Sequence, residues 1–127
     1  MPDRPSMIAD AFLDISTDTT KTAAVQVPQW ARYGTLFIPT IDNAAITLEL
    51  IEIEDVTAAK LVSDQDTSWI TVYDQAESSQ VMGASTGDRW VDISNYVQSL
   101  PKDCFIRAVC GAAQDPDVTF VFAFRGA

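Results

Sequence analysis

The sequence predicts an all-β protein, an antiparallel β-sandwich of the jelly-roll or immunoglobulin-like kind with seven or eight strands and one short helix near residues 94–100. Short runs of β-branched and aromatic residues alternate with turn residues along most of the chain, as is typical of sandwiches. The last run, residues 117–125, places Phe120, Phe122 and Phe124 at every second position. One face of this strand therefore carries three phenylalanine rings, and we expect it to lie in the core.

The chain length suits one domain, which we divide into an N-terminal arm, residues 1–22, and a β-sandwich domain, residues 23–127. The arm is rich in proline, serine and threonine, which pack poorly, but it also contains the apolar residues Ile8, Phe12 and Leu13. Two interpretations stay open. The arm is a frayed terminus or an edge strand on its own domain, or it docks on a neighbouring subunit.

The first part of the domain contains three predicted strands. Residues 23–27 form a short strand, and residues 34–38 form a second one that ends at Pro39, because proline lacks the N–H needed for pairing. The longest strand spans residues 45–54, and its apolar positions shift by one residue at residues 50–51. We predict a β-bulge or a bend there, where a strand passes from one sheet to the other.

The next predicted strand, residues 68–74, has Ile70 and Val72 on one face and Trp69 and Tyr73 on the other. The remaining elements are a weaker strand at 79–84, a turn at 85–88, a short strand at 90–93, helical turns over 94–100 capped by Asp92 or Ser94, and a hairpin of strands 104–110 and 117–125.

The composition is strongly acidic, with 8 lysines and arginines against 18 aspartates and glutamates and a net charge of -10. Such a field repels phosphate backbones and anionic lipid surfaces, so the composition argues against nucleic-acid and membrane partners. The sequence has no apolar run of transmembrane length and no signal-peptide core. We therefore expect synthesis in a cytoplasm.

The sequence offers no catalytic motif. It contains no histidine, which excludes Ser–His and Cys–His nucleophile systems and histidine metal sites. Cys104 and Cys110 lie too far apart in one strand for a disulfide, so we expect both to be small apolar residues. The acidic pairs at 64–66 and 115–117 are interpreted as turns rather than calcium ligands. We expect a protein that is not an enzyme and needs no cofactor or metal.

Apolar residues on both faces of some strands indicate an interface, because a solvated sheet face should be polar. Trp69 and Tyr73 lie opposite an apolar pair, and Thr119 and Val121 lie opposite the phenylalanines. We expect a homo-oligomer. The predicted interface residues are Ile8, Phe12, Leu13, Trp30, Trp69, Tyr73, Thr119 and Val121.

Three groups of segments carry a resemblance to a known kind of protein. They are residues 27–31 (VPQWA), residues 85–89 (STGDR) with 91–94 (VDIS), and residues 105–114 (FIRAVCGAAQ) with 117–120 (DVTF). Over about residues 23–125 the chain resembles the small β-sandwich virion proteins of tailed bacteriophages that sit on the assembled head. The resemblance implies a capsid-decorating or capsid-stabilising protein on the outer virion surface, often a trimer, whose partner is the major capsid protein. It implies no catalytic residues.

Two other functions stay open as alternatives. One is a carbohydrate- or receptor-binding sandwich that uses Trp30, Trp69 or Trp90 as stacking platforms. An exposed aromatic row beside polar groups would favour it, whereas the same row buried between subunits would favour the virion protein. The other is a head–tail connector or tail component. A hydrolase with paired carboxylates is a remote third possibility.

Overall fold

A computed structural model describes residues 7–12, 20–52, 69–101, 103–114 and 118–126, with the backbone alone for 7–12. The described chain is antiparallel β-structure with one short helix, which confirms the all-β prediction. The elements are β1 (Met7–Phe12), β2 (Val25–Gln26), β3 (Tyr33–Glu52), β4 (Ile70–Thr71), β5 (Gln80–Asp92), α1 (Ser94–Val97), β6 (Cys104–Cys110) and β7 (Thr119–Arg125).

The long strand β3 organises the sheet. Its first part, Tyr33–Phe37, pairs with β7, and its last part, Ile46–Glu52, pairs with β6. β5 pairs with both parts of β3, and β4 pairs near its end. Among the described residues the hydrogen-bonded order is β1-β7-β3-β6-β2, with β4 and β5 attached to β3. The division into the two packed layers of a sandwich stays a prediction.

The strand β3 runs through Pro39, so the prediction that a strand ends there is wrong. Pro39 itself is paired with neither β5 nor β7, where its missing N–H would matter, and the register between β3 and β5 shifts only after it, at three places between Thr40 and Thr47. The predicted bulge at residues 50–51 is wrong in position, because the register with β6 is continuous from Ile46 to Glu52. The apolar positions of β3 shift by one residue there because side chains on both of its faces are buried, and Ile51 is fully buried on the second face.

The strand predicted over residues 68–74 is shorter in the structure, where β4 covers only Ile70 and Thr71 and residue 68 lies outside the described residues. Ile70 is exposed and Val72 is buried, so the face predicted for both is covered at Val72 and open at Ile70. The backbone N–H of Val72 donates to the carbonyl of Leu48 over 2.9 Å, which continues the attachment of this segment to β3. The two strands predicted at 79–84 and 90–93 are one strand, β5.

The core lies where the period-two pattern of β7 predicts it. Phe120, Phe122 and Phe124 are all fully buried, and the rings of Phe122 and Phe124 stack with centroids 6.2 Å apart. Cys104 and Cys110 of β6 are free thiols on the same buried side, which confirms their expected role as small apolar residues. Burying one phenylalanine side chain stabilises the fold by roughly 1.5–3 kcal/mol, so these strands carry much of its stability.

The helix α1 packs on the start of β3 at Gly34. A Cβ atom at this position would lie 2.8 Å from Cγ2 of Val97, so only glycine allows the helix this close. The N-cap of α1 is Ile93, which makes no side-chain capping hydrogen bond, so the prediction of Asp92 or Ser94 as the cap is wrong. Asp92 lies just before it, and its Oδ1 accepts a hydrogen bond from the Ser94 N–H over 2.8 Å. The hydrogen bonds from Ser94 lower the pKa of Asp92. A turn follows α1 up to residue 100, so the helical part is shorter than predicted.

The N-terminal segment contributes an edge strand to its own chain. β1 pairs with β7 in an antiparallel register, from Met7 opposite Phe124 to Phe12 opposite Thr119. Of the two interpretations of this segment, the structure supports the edge strand for residues 7–12. The division into arm and domain stays a prediction, and Leu13 and the acidic pairs at 64–66 and 115–117 lie outside the described residues.

The buried thiol of Cys104 predicts a loss of stability in alkali. Burial raises its pKa from 9.0 to about 11, so the folded state holds this proton more tightly than the unfolded state. The stabilisation is complete below pH 9.0 and disappears as the pH rises to about 11, so we expect the free energy of unfolding to fall over this range. Urea titrations at several pH values measure it.

Tyr96 contributes to the same fall, because burial also raises its pKa. The variant Cys104→Ala removes the thiol and keeps Tyr96, so its stability should depend less steeply on pH. Identical pH profiles for the variant and the original protein would contradict this prediction.

Candidate interaction surface

The face of β3 that points away from the core carries a row of adjoining apolar side chains. Phe37 of β3 is directly opposite Trp90 of β5 and Val121 of β7, so the three side chains lie side by side on one face. The rings of Phe37 and Trp90 lie 5.3 Å apart between centroids at an angle of 51°. Trp90 is 56% exposed, while Phe37 and Val121 are half-buried. We call these three residues the Trp90 row.

This row is unusual for a sheet face in contact with water. Large apolar side chains that adjoin each other on a surface are typical of binding sites, whereas scattered ones are common everywhere. Thr119, two residues from Val121, extends the same face and is half-buried. The surface therefore offers apolar contact area to another protein.

A groove lies on the same face, beyond the Trp90 row. It has a volume of about 520 Å³ and a floor of small residues, Thr35 and Ala123, which are paired across β3 and β7. Asp92 of β5 and Arg125 of β7 line its opposite sides, and Tyr33 lies opposite Arg125 in the register. Tyr33 is 48% exposed. The groove thus combines an aromatic ring, a carboxylate and a guanidinium around open space.

A second polar cluster is buried on the outward face of β3 and β6, near the other end of β3. The Arg107 guanidinium is 2% exposed, its Nη2 and Nε lie 2.9 and 3.0 Å from Oε1 of Glu49, and Lys21 Nζ lies 3.8 Å from the same oxygen. The ring of Trp69 covers the guanidinium, with Cζ 3.9 Å from the ring centroid. The charges are paired with one another and largely shielded from water, so this cluster presents little charge to a ligand.

The predicted interface residues do not all meet at one surface. Val121 belongs to the Trp90 row and Thr119 lies beside it, whereas Tyr73 is exposed elsewhere, next to β4. Trp69 is only 7% exposed within the single chain, so it offers no surface to a partner. Trp30 is half-buried against the core.

The backbone register places two arm residues at this sheet as well. Ile8 and Phe12 of β1 are opposite Ala123 and Thr119 of β7. Their role in an interface stays a prediction. The prediction omitted Phe37, because it lies in a continuous apolar run between Leu36 and Ile38 that gives no alternation to indicate an outward face.

The tryptophans proposed as stacking platforms do not form an exposed row. Of the three, only Trp90 is exposed, because Trp69 is buried and Trp30 is half-buried. Among the described residues no group of three or more acidic or cysteine side chains is arranged to hold a metal ion. No helix in the described part of the chain is long and apolar enough to cross a membrane.

Comparisons with known proteins give no relative. No family model matches the sequence, and neither the curated proteins nor the solved structures contain a significant match.

Proposed function

We propose that this protein is a structural virion protein that binds the outer surface of a phage capsid. It binds as a homotrimer and decorates or stabilises the capsid. The observation that carries the proposal is the Trp90 row, an apolar surface on a strongly acidic chain. The resemblance of residues 23–125 to small virion proteins supports the location on a phage head. The partner is then the major capsid protein.

The physical properties of the row suit association between proteins. Tryptophan and phenylalanine are enriched at protein interfaces, where a large ring buries much area with few rotatable bonds. None of the three residues is charged, so burying the row itself removes no charge from water. The net charge of -10 acts against association of copies at low salt, and therefore added salt should strengthen the oligomer.

Replacing Trp90 tests the association. We expect the original protein to be a trimer by light scattering and Trp90→Ser to be a monomer at the same concentration, because the ring contributes the largest area of the row. Trp90 is already 56% exposed in the single chain, so the variant should keep its fold and its thermal stability. A monomeric original protein would contradict the proposal.

A matched control replaces Tyr73, another strongly exposed aromatic residue. Tyr73→Ser removes an exposed ring that lies outside the Trp90 row and should leave the mass unchanged. If Tyr73→Ser dissociates the oligomer and Trp90→Ser does not, the surface next to β4 is the interface instead.

Attachment to a capsid is tested separately. Purified protein should co-sediment with phage heads at a fixed copy number, in multiples of three per local symmetry axis, and Trp90→Ser should not. A copy number of six or twelve per particle would indicate the head–tail connector or tail component instead. If the protein forms an oligomer but does not bind phage heads, the proposed location on the virion is wrong and the proposed association between copies still holds.

A further inference from the structure

The groove beyond the Trp90 row has the dimensions and the chemical groups of a small-molecule site. Its volume of about 520 Å³ lies within the range of roughly 300–1,000 Å³ that is usual for such sites. Thr35 and Ala123 have small side chains at the base of the groove. The larger side chains of Tyr33, Asp92 and Arg125 lie at its sides. A ligand in the groove can contact all three of these side chains.

The two charged groups are arranged to act on a ligand rather than on each other. Among the described residues neither Arg125 nor Asp92 belongs to an ion pair. Asp92 is held in place by the Ser94 N–H, which donates to its Oδ1 over 2.8 Å. The hydrogen bonds from Ser94 also keep this carboxylate ionised, since they lower its pKa. A fixed carboxylate accepts hydrogen bonds from ligand hydroxyls, and a guanidinium donates two parallel ones to a ligand carboxylate.

The spacing of the strands decides between ligand classes. Thr35 of β3 is opposite Asp92 of β5 and also opposite Ala123 of β7, so β3 lies between the strands that carry the two charges. Arg125 lies two residues along β7 from Ala123, so two strand spacings together with this offset separate the backbones of Asp92 and Arg125 by about 12 Å. The ammonium and carboxylate of a free amino acid are attached to a single carbon atom, whereas the carboxylate and the hydroxyls of an acidic sugar are distributed around a ring. A sugar ring that carries a carboxylate spans more of the gap.

The exposed ring of Tyr33 supports the same ligand class. Tyr33 lies opposite Arg125 at the end of the groove and packs against no other aromatic ring in the described part of the chain. The apolar C–H face of a sugar stacks on such a ring, while its hydroxyls point to the sides. Phosphorylated ligands are less suitable, because the carboxylate of Asp92 and the net charge of -10 repel a second negative charge.

We propose that this groove binds a carboxylated sugar of the uronic acid type, with its carboxylate on Arg125, its hydroxyls on Asp92 and its ring on Tyr33. This site is separate from the Trp90 row, and its binding does not require association. A protein bound to a larger particle would gain a contact to acidic polysaccharide from it.

The site can be tested by titrating the full chain with D-glucuronate, and separately with D-glucose, while the NMR chemical shifts of the backbone amides are measured. We expect saturable shifts at Thr35, Ala123 and Gly126 with glucuronate, and at least about tenfold weaker binding of glucose, because glucose lacks the carboxylate. Arg125→Gln should lower the affinity for glucuronate to that for glucose. The control Arg89→Gln removes an exposed arginine that does not line the groove and should bind glucuronate like the original protein.

Three results would overturn the proposal. They are no saturable shift with glucuronate at tens of millimolar, shifts that map outside the groove, and an affinity that Arg125→Gln leaves unchanged. Binding by the monomeric Trp90→Ser variant would support the site and is independent of whether the protein associates or attaches to a capsid.

Discussion

Glu49→Ala should destabilise the protein by roughly 3–5 kcal/mol, because it removes the carboxylate that lies 2.9 Å from the buried guanidinium of Arg107. Arg107 is almost inaccessible to water, and the ring of Trp69 covers it, so its guanidinium depends on contacts within the protein rather than on water. For a domain of this size the loss corresponds to a fall in the melting temperature of roughly 10–20 °C. Urea unfolding followed by circular dichroism measures the change in free energy.

Two further variants show whether the charge or the packing is responsible. Glu52→Ala removes an exposed glutamate from the same strand and should change the stability by less than about 0.5 kcal/mol. The double variant Glu49→Leu/Arg107→Met replaces the ion pair with apolar side chains, so it should be more stable than Glu49→Ala. A double variant as unstable as Glu49→Ala would show that the cost comes from shape rather than from an unpaired charge.

Gly87→Ala should destabilise the protein by roughly 2–4 kcal/mol, through backbone strain and a steric clash. Gly87 has a φ of +73°, a conformation that residues with a Cβ atom rarely adopt. A Cβ atom would also lie 2.3 Å from the carbonyl oxygen of Pro39, a backbone atom that cannot rotate away. The clash occurs where β3 and β5 lose their regular register, so the variant should loosen this part of the sheet.

Gly83→Ala is the matched control, since Gly83 lies in the same strand. A Cβ atom there would meet nothing within 4 Å, and its φ lies outside the left-handed region. Alanine lowers the conformational entropy of the unfolded chain without disturbing the folded one. We therefore expect the free energy of unfolding to be unchanged or slightly higher, by up to about 1 kcal/mol. Equal losses for both variants would contradict the explanation given for Gly87.

The core of the fold could be predicted because its pattern is local. The alternation in β7 identifies Phe120, Phe122 and Phe124 as buried from the sequence alone. The continuity of β3 could not be predicted, because the cost of Pro39 depends on the strand opposite. Pro39 pairs with neither neighbour, because the pairing with β7 ends at Phe37 and the pairing with β5 passes from Ile38 to Thr40 without it.

The candidate surfaces depend on register, which the sequence does not contain. Val121 could be predicted as an outward apolar residue, but its neighbours Phe37 and Trp90 come from strands far apart in the chain. Trp69 was expected at an interface because its partner, Arg107, could not be identified from the sequence. The groove was missed for the same reason, since Asp92 and Arg125 are brought to one face only by pairing with β3.

The pairing of β1 with β7 has a consequence for the order of folding during synthesis. β1 leaves the ribosome before any other described strand, and the strand that it pairs with leaves last. Because β7 also lies between β1 and the first part of β3, neither can complete its hydrogen bonds on that side until β7 has been synthesised. Contacts between distant parts of a chain form slowly, so the nascent protein exposes these unpaired edges for longer than a protein built from neighbouring hairpins. A chain stalled before residue 119 should therefore be sensitive to protease, whereas the finished chain should resist it.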